Sequence, residues 1–417
     1  MHHPSATAKH FETSQLSLTF AAQKLTMKKI LPLLLLLVSV TLSAQKKAVS
    51  PYAAIDAKAL QIPDSLTRST DKMAAWFKSS FATEKDRTRA AFIWIAKTIH
   101  YDLDNMFALN FYEKREEKID KALKTRKGIC ANYAELFADI SNKMGIKSYV
   151  VEGYTKQNGF TDYIPHAWCA AFLDGSWYLY DPTWGSGYVN GGKFIPRINN
   201  AYYETTPKVL AKSHMPFDYL WQFMNYPITT AEFYQGKTDL DRSKPFFDYP
   251  AQIAAYEKLD RIDQLKASAK RIEETGLRNS MIFDRLQHIR MEIDNDNIKQ
   301  KTALYNEAVH DYNAGINETN AFIEYRNKQF KPTLPDGDIE GMLIAAESKL
   351  NSAVKKLEGV SRDDEHLGAS KTQLLKTIQD ALKQVMEFRD WLHVYFGKSK
   401  SARKGMFYEK RSLWSGK

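Results

Sequence analysis

The chain has 417 residues, too many for one ordinary core, so two folded units with additional segments are expected. Apolar residues make up 44% and charged residues 26%, the balance of a soluble globular protein, which excludes collagen-like, disulfide-stapled and wholly disordered chains. The formal net charge of +10 is unevenly spread: the final twenty residues carry seven lysines and arginines against Glu409 alone. That tail is read as a solvated, frayed terminus, and with no nucleic-acid-binding signature beside it, nucleic acid is set aside as a partner.

In chain order, residues 1–26 show no organising pattern and are read as a doubtful N-terminal extension. Residues 27–44 read as a secretory signal peptide. Lys28 and Lys29 form its basic start, Ile30 to Leu42 an apolar run of 13 residues, and Leu42-Ser43-Ala44 a small-residue end. The run is too short to span a bilayer, which takes about 20 residues, and no Cys follows to carry a lipid. The expected mature protein is exported, periplasmic or extracellular, with no membrane span. Export permits disulfides, yet Cys130 and Cys169 are the only cysteines.

Leu66 to Asp102 has helical periodicity with Ala91, Phe92, Ile95 and Ile99 on one face. Arg115 to Arg126 is a charged connection, either a surface loop or a short solvated helix. After Gly128 a helix is expected from Cys130 to Met144, ended by Gly145, with an inward stripe of Cys130, Ala134, Phe137, Ser141 and Met144. The period then changes to two. Lys147 to Tyr154 reads as a strand, and His166 to Phe172 and Trp177 to Asp181 as a hairpin about Asp174-Gly175. Beyond Phe246 the pattern is long helices, broken by two prolines between Lys331 and Asp336. Their stripes, such as Leu343, Leu350 and Leu357 or Ile378, Val385 and Leu392, read as bundle core.

A turn centred on Asp174-Gly175 pairs residues whose numbers sum to 349, so Phe172 faces Trp177 and Trp168 faces Asp181. His166, Trp168, Ala170 and Phe172 then share a face with Trp177, Leu179, Asp181 and Thr183. The Cys130 helix is expected to pack on that face. His166 and Asp181 become diagonal neighbours, roughly 7–8 Å apart between backbones and bridgeable by side chains. A thiol at a helix N-terminus, where amides favour a thiolate and an oxyanion, facing an imidazole held by a carboxylate, is the arrangement of nucleophilic acyl transfer. Cys130 is the candidate nucleophile, His166 the base and Asp181 the residue that orients it.

Gly128-Ile129-Cys130-Ala131-Asn132-Tyr133-Ala134-Glu135-Leu136-Phe137, then Glu152-Gly153, His166-Ala167-Trp168 and Trp177-Tyr178-Leu179-Tyr180-Asp181-Pro182-Thr183-Trp184 closely resemble the bacterial transglutaminase-like domain. Trp94-Ile95-Ala96, Ile99-His100-Tyr101-Asp102, His214-Met215-Pro216-Phe217 and Trp221-Gln222 resemble its kyphoscoliosis peptidase and cytokinesis-associated branch. The resemblance covers residues 70 to 235. It implies a papain-like α+β fold, the Cys130 helix packed on an antiparallel sheet, and amide hydrolysis or transfer through Cys130, His166 and Asp181. Cys169 departs from the pattern, which has a polar residue after His-Ala-Trp.

The layout is therefore a catalytic domain over 45–245, an all-α region over 246–397 and a basic tail over 398–417. Trp94, Trp168 and Trp177 are read as core, His100 and His214 as structural, and Asp102 as a turn or cap residue. Tyr101 is left open between lining the site, supplying a second oxyanion donor, and a structural hydrogen bond. No metal-ligand spacing and no phosphate loop is present, so neither metal nor cofactor is expected. The expected partner is a protein or peptide substrate, cell-wall peptide included. The alternative is an inactive envelope scaffold on the same fold. Cys130 and Cys169 are expected to stay unpaired, on opposite sides of one sheet.

Overall fold

A computed structural model of the chain describes residues 50–107, 113–157, 159–161, 164–362 and 364–408. The N-terminal extension, the signal segment and the last nine residues of the basic tail lie outside the described residues. Among the described residues, helices α1 (Ala53–Ala59), α2 (Thr70–Ser80) and α3 (Glu84–Thr98) come first. The helical pattern read from Leu66 to Asp102 is thus interrupted: Ser69 caps α2 and Thr83 caps α3, each side chain accepting from an amide three residues on. β1 (His100–Tyr101) follows, then α4 (Arg115–Thr125), the charged connection as a helix. β2 (Lys127–Gly128) pairs in parallel with β1 and leads directly into α5 (Cys130–Lys143).

The sheet is built next from β3 (Ser148–Gln157), β4 (Phe160–Thr161), β5 (His166–Leu173) and β6 (Ser176–Tyr180), in the order β4-β3-β5-β6. The hairpin register is the expected one, with Cys169 opposite Tyr180 and Phe172 opposite Trp177. Asp174 (φ 50°) and Gly175 (φ 77°) both occupy the left-handed region that a two-residue hairpin turn requires. After α6 (Pro182–Ser186) come the small hairpin β7 (Gly187–Asn190) and β8 (Lys193–Pro196), then α7 (Pro207–Leu210) and β9 (His214–Pro216). β9 adds antiparallel to β3, placing His214 opposite Thr155 and Pro216 opposite Gly153.

The helix side of the sheet is not the expected one. Helix α5 packs on the other face of the sheet: Ala167, Cys169, Ala171 and Tyr180 join α2, α3 and α5 in one core. Cys169 donates its thiol hydrogen to the Ala134 carbonyl of α5 at 3.2 Å. The small residues of this face let the helix backbone approach closely. The face with Trp168, Ala170, Trp177 and Leu179 is too bulky for that, and is covered by Leu210, Leu220, Phe223 and Ile253. Cys130 and Cys169 are both free, but both belong to the helix side of the sheet. The reason given for their separation, opposite sides of one sheet, does not hold.

The later helices are α8 (Thr230–Gln235), α9 (Tyr249–Tyr256), α10 (Arg261–Thr275), α11 (Ser280–Asn327), α12 (Asp336–Glu358) and α13 (Gly368–Gly397). At 48 residues, α11 is roughly 70 Å long and serves two cores. Its first turns, Met281 to Ile289, pack with Met215, Phe217, Ile228 and Phe233 beside β9. Its far end forms a bundle with α12 and α13 around Leu343, Leu350, Ile378, Val385 and Leu392. The tail is not wholly frayed, since Arg403 holds Asp336 through both carboxylate oxygens at 2.8 Å. No helix among the described residues is long and apolar enough to cross a membrane.

Apolar packing crosses residue 245, the boundary read from the change in pattern. Residues 236–248 lack helix and strand and are mostly exposed, whereas Ile253, Ile272 and Leu286 are buried in cores that begin before them. Limited trypsin digestion is expected to nick this stretch and leave two fragments that co-elute on gel filtration and part only in denaturant. Native separation of the fragments would show that the shared cores contribute little.

Candidate active site

Each expected site residue stands at the end of an element. Ile129 is the N-cap of α5, its amide donating 2.9 Å to Asn132 Oδ1, while Asn132 Nδ2 donates to the Lys118 carbonyl at 2.9 Å. This doubly held Asn132 leans on Gly128, where a β-carbon would lie 2.6 Å from Asn132 Cβ. The turn that presents Cys130 therefore needs glycine at 128 because of space. His166 is the first residue of β5, and Asp181 caps α6 just past the end of β6. Pro182 holds that first turn ready.

Asp181 is fully buried and accepts four hydrogen bonds. Oδ1 takes the amides of Thr183 (2.9 Å) and Trp184 (3.0 Å). Oδ2 takes Nε2 of His166 (2.8 Å) and Nε2 of His214 (3.0 Å). An ionised carboxylate only accepts, so both imidazoles carry their proton on Nε2. His166 is left with Nδ1 for Cys130, which lines the same pocket of about 80 Å³. Glu152, Ala167, Phe217 and Arg285 also line it.

Burial disfavours the His166 imidazolium, but the Asp181 carboxylate and a hydrogen bond with Cys130 outweigh it and lift its pKa to about 10. Burial alone would raise the Asp181 carboxyl, yet the two imidazoles hold it well below the usual carboxylate range. Linkage then runs in opposite directions for the pair. The contribution of charged His166 to stability is full below its ordinary 6.5 and fades as pH rises toward about 10. That of Asp181 is full above its ordinary 3.8 and fades as pH falls through the depressed value. Burial pushes the Cys169 thiol up, which leaves it protonated and unreactive.

Tyr101 flanks the site. Burial first, then the nearby Cys130, Asp181 and Asp102, raise its phenol, so it remains an O–H donor at neutral pH. Asp102 accepts from Asn105 Nδ2 at 2.8 Å, as a turn residue does, and His100 is exposed away from the pocket.

His214, read from the sequence as structural, shares the carboxylate of the site. Its ring is fixed by Trp184 and Trp168, with centroids 4.7 and 5.1 Å away, and its Nδ1 lies 2.8 Å from Ser213 Oγ. His166, Asp181 and His214 offer donor atoms within 4.8 Å of one another, close enough to hold a metal ion. Nε2 of His166 and Nε2 of His214 already meet Asp181 Oδ2 at 2.8 and 3.0 Å, which makes the group a two-imidazole, one-carboxylate hydrogen-bond network. The spacing of 166, 181 and 214 hid it, because three residues this far apart carry no short ligand motif.

Residues 72–182 match the model of the transglutaminase-like superfamily. The chain carries a transglutaminase-like domain. Mouse kyphoscoliosis peptidase is 30% identical over 190 residues, 44% of this chain and 28% of that protein. The human kyphoscoliosis peptidase is 34% identical over 159 residues, 36% of this chain and 24% of that protein. The chain thus spans about a quarter of the length of these relatives. A crystal structure described as a TGase shares 17% identity with a TM-score of 0.26, covering 56% of this chain and 55% of that one. The transglutaminase-like domain is α+β, an antiparallel sheet with helices, and a long helical region follows it.

Proposed function

We propose that the chain is an exported thiol enzyme that hydrolyses or transfers amide-bonded acyl groups of protein or cell-wall peptide. Cys130 acts as nucleophile, His166 as base and Asp181 as the group that orients the base. The observation that carries this reading is the Asp181 contact to His166 Nε2, which commits Nδ1 to the side where Cys130 lies. Thiolate sulfur attacks the carbonyl carbon, and the α5 amides stabilise the oxyanion. The C–N bond breaks, the amine leaves with the proton held on His166, and a thioester remains. Water or a second amine then adds to the thioester carbon and gives a proton to His166. Carbon–sulfur cleavage returns the thiolate and releases an acid or a new amide. Export is supported by the signal-like stretch from Lys28 to Ala44.

Iodoacetamide is expected to alkylate Cys130 rapidly near neutral pH and Cys169 not at all, as mapped by peptide mass spectrometry. Cys130→Ala should abolish both labelling and any turnover of peptidoglycan peptides or unfolded protein, with the circular dichroism spectrum unchanged. His166→Ala should slow labelling of Cys130 by about 10²-fold or more. Full turnover by Cys130→Ala on a real substrate would sink the mechanism. A Cys130 no faster than a free thiol would favour the scaffold reading instead.

A further inference from the structure

Two cavities meet at one ion pair. The smaller is the pocket of Cys130 and His166. The larger, of about 440 Å³, opens between the sheet and helices α9, α10 and α11. Glu152, Phe217 and Arg285 line both, and Arg285 Nη2 lies 2.7 Å from a Glu152 carboxylate oxygen. This pair and the Phe217 ring therefore form the partition between the two spaces, and Arg285 comes from α11, far beyond the triad motifs.

One side of the larger cavity is aromatic, and polar side chains, among them Gln264 and Ser268, line it elsewhere. Tyr149, Trp221 and Tyr256 face it, with Tyr149 and Trp221 centroids 5.0 Å apart and Trp221 and Tyr256 centroids 5.3 Å apart at 89°. Three carboxylates also stand there, but each already has a cation. Arg285 pairs with Glu152, Arg271 grips both oxygens of Asp218 at 2.6 and 2.7 Å, and Lys147 holds Glu257 at 2.8 Å. With those charges spent, capture of a cationic side chain is weak. The packed rings of Tyr149, Trp221 and Tyr256 remain as an apolar surface to bind against, and an aromatic side chain offers about 150–250 Å² to bury there. The volume falls within the range of about 300–1,000 Å³ in which small groups bind.

We propose that this cavity is a specificity subsite for the acyl donor, taking a bulky aromatic side chain of a peptide whose scissile amide lies at Cys130. It rests on the reading of Cys130 as the acylated nucleophile. Helices α9 to α11 would then set the substrate preference of a site whose chemistry lies entirely before them.

The test uses the full chain and peptidyl chloromethyl ketones that differ in one residue, Phe, Ala, Lys or a glycan-bearing residue, with iodoacetamide as the probe of the bare thiol. The Phe probe should alkylate Cys130 about tenfold faster than the Ala probe, or more. Trp221→Ala should bring that ratio close to one. Ser268→Trp, which fills the cavity from α10, should do the same even if the first variant folds poorly. A Phe-to-Ala ratio near one in the wild type, a ratio that survives both substitutions, or a preference for the Lys or glycan probe would overturn the subsite while fast iodoacetamide labelling kept the thiol reading intact. Slow iodoacetamide labelling of Cys130 would instead refute the thiol reading and the subsite with it.

Discussion

Asp181→Asn is expected to cut Cys130 alkylation and turnover by about 10³- to 10⁴-fold while leaving the fold in place. The amide oxygen can still accept from the Thr183 and Trp184 amides, so the cap of α6 survives. The amide nitrogen, however, now faces Nε2 of His166 and Nε2 of His214, where two N–H donors had met one oxygen. Both rings must move their proton to Nδ1. For His214 the cost is small, because Ser213 Oγ beside its Nδ1 can reverse its role from donor to acceptor. For His166 it is decisive: Nδ1–H points at Cys130 as a donor, and no base remains to take the thiol proton. Asp181→Ala differs, since it strands four buried donors at once and should lower unfolding stability by about 3 kcal/mol or more in urea titrations. An Asp181→Asn variant that alkylates at the wild-type rate would show that Asp181 does not set the His166 tautomer.

The part of this site legible in the sequence is the part written in local patterns. Asp174-Gly175 can only be a tight turn, and once it is one, the register of His166 and Asp181 follows by counting. Gly128 just before Cys130 marks a helix start. Which face of the sheet the helix takes was not legible. Alternation sorts β5 into a face of Ala167, Cys169 and Ala171 and a face of Trp168, Ala170 and Phe172, but both are apolar, and the tryptophans drew the expectation to the wrong one. Side-chain volume, not hydrophobicity, decides it, because a helix backbone seats closely only over small residues. The link of His214 to Asp181 was not legible for another reason. β9 is three residues long, too short for any period, and its partner β3 lies some sixty residues earlier. Arg285 was not legible either, because its helical stripe identifies its buried neighbours but not what a half-buried side chain reaches across to.

Gly153→Ala is expected to lower stability by about 3 kcal/mol and to disable the site with it. Gly153 pairs with His166 of β5 and with Pro216 of β9, so it lies where the strand carrying the base and the strand carrying His214 both join β3. A β-carbon there would lie 2.1 Å from the Met215 carbonyl oxygen, 2.7 Å from Pro216 Cα and 2.6 Å from the buried Trp168 ring. Two of these neighbours are backbone, and the third is 1% exposed in a packed core, so none can swing aside. β9 must move outward, and His214 leaves Oδ2 of Asp181 as it goes. The sign of the result is itself diagnostic. Glycine inside a strand costs about 0.5–1 kcal/mol relative to alanine through chain entropy, so an unhindered position would be stabilised by the change. Urea unfolding with an unchanged slope and a lower midpoint, together with slowed alkylation of Cys130, is the expected outcome. A gain in midpoint would mean that β9 does not seat against Gly153 and that His214 is not held on Asp181 by this strand.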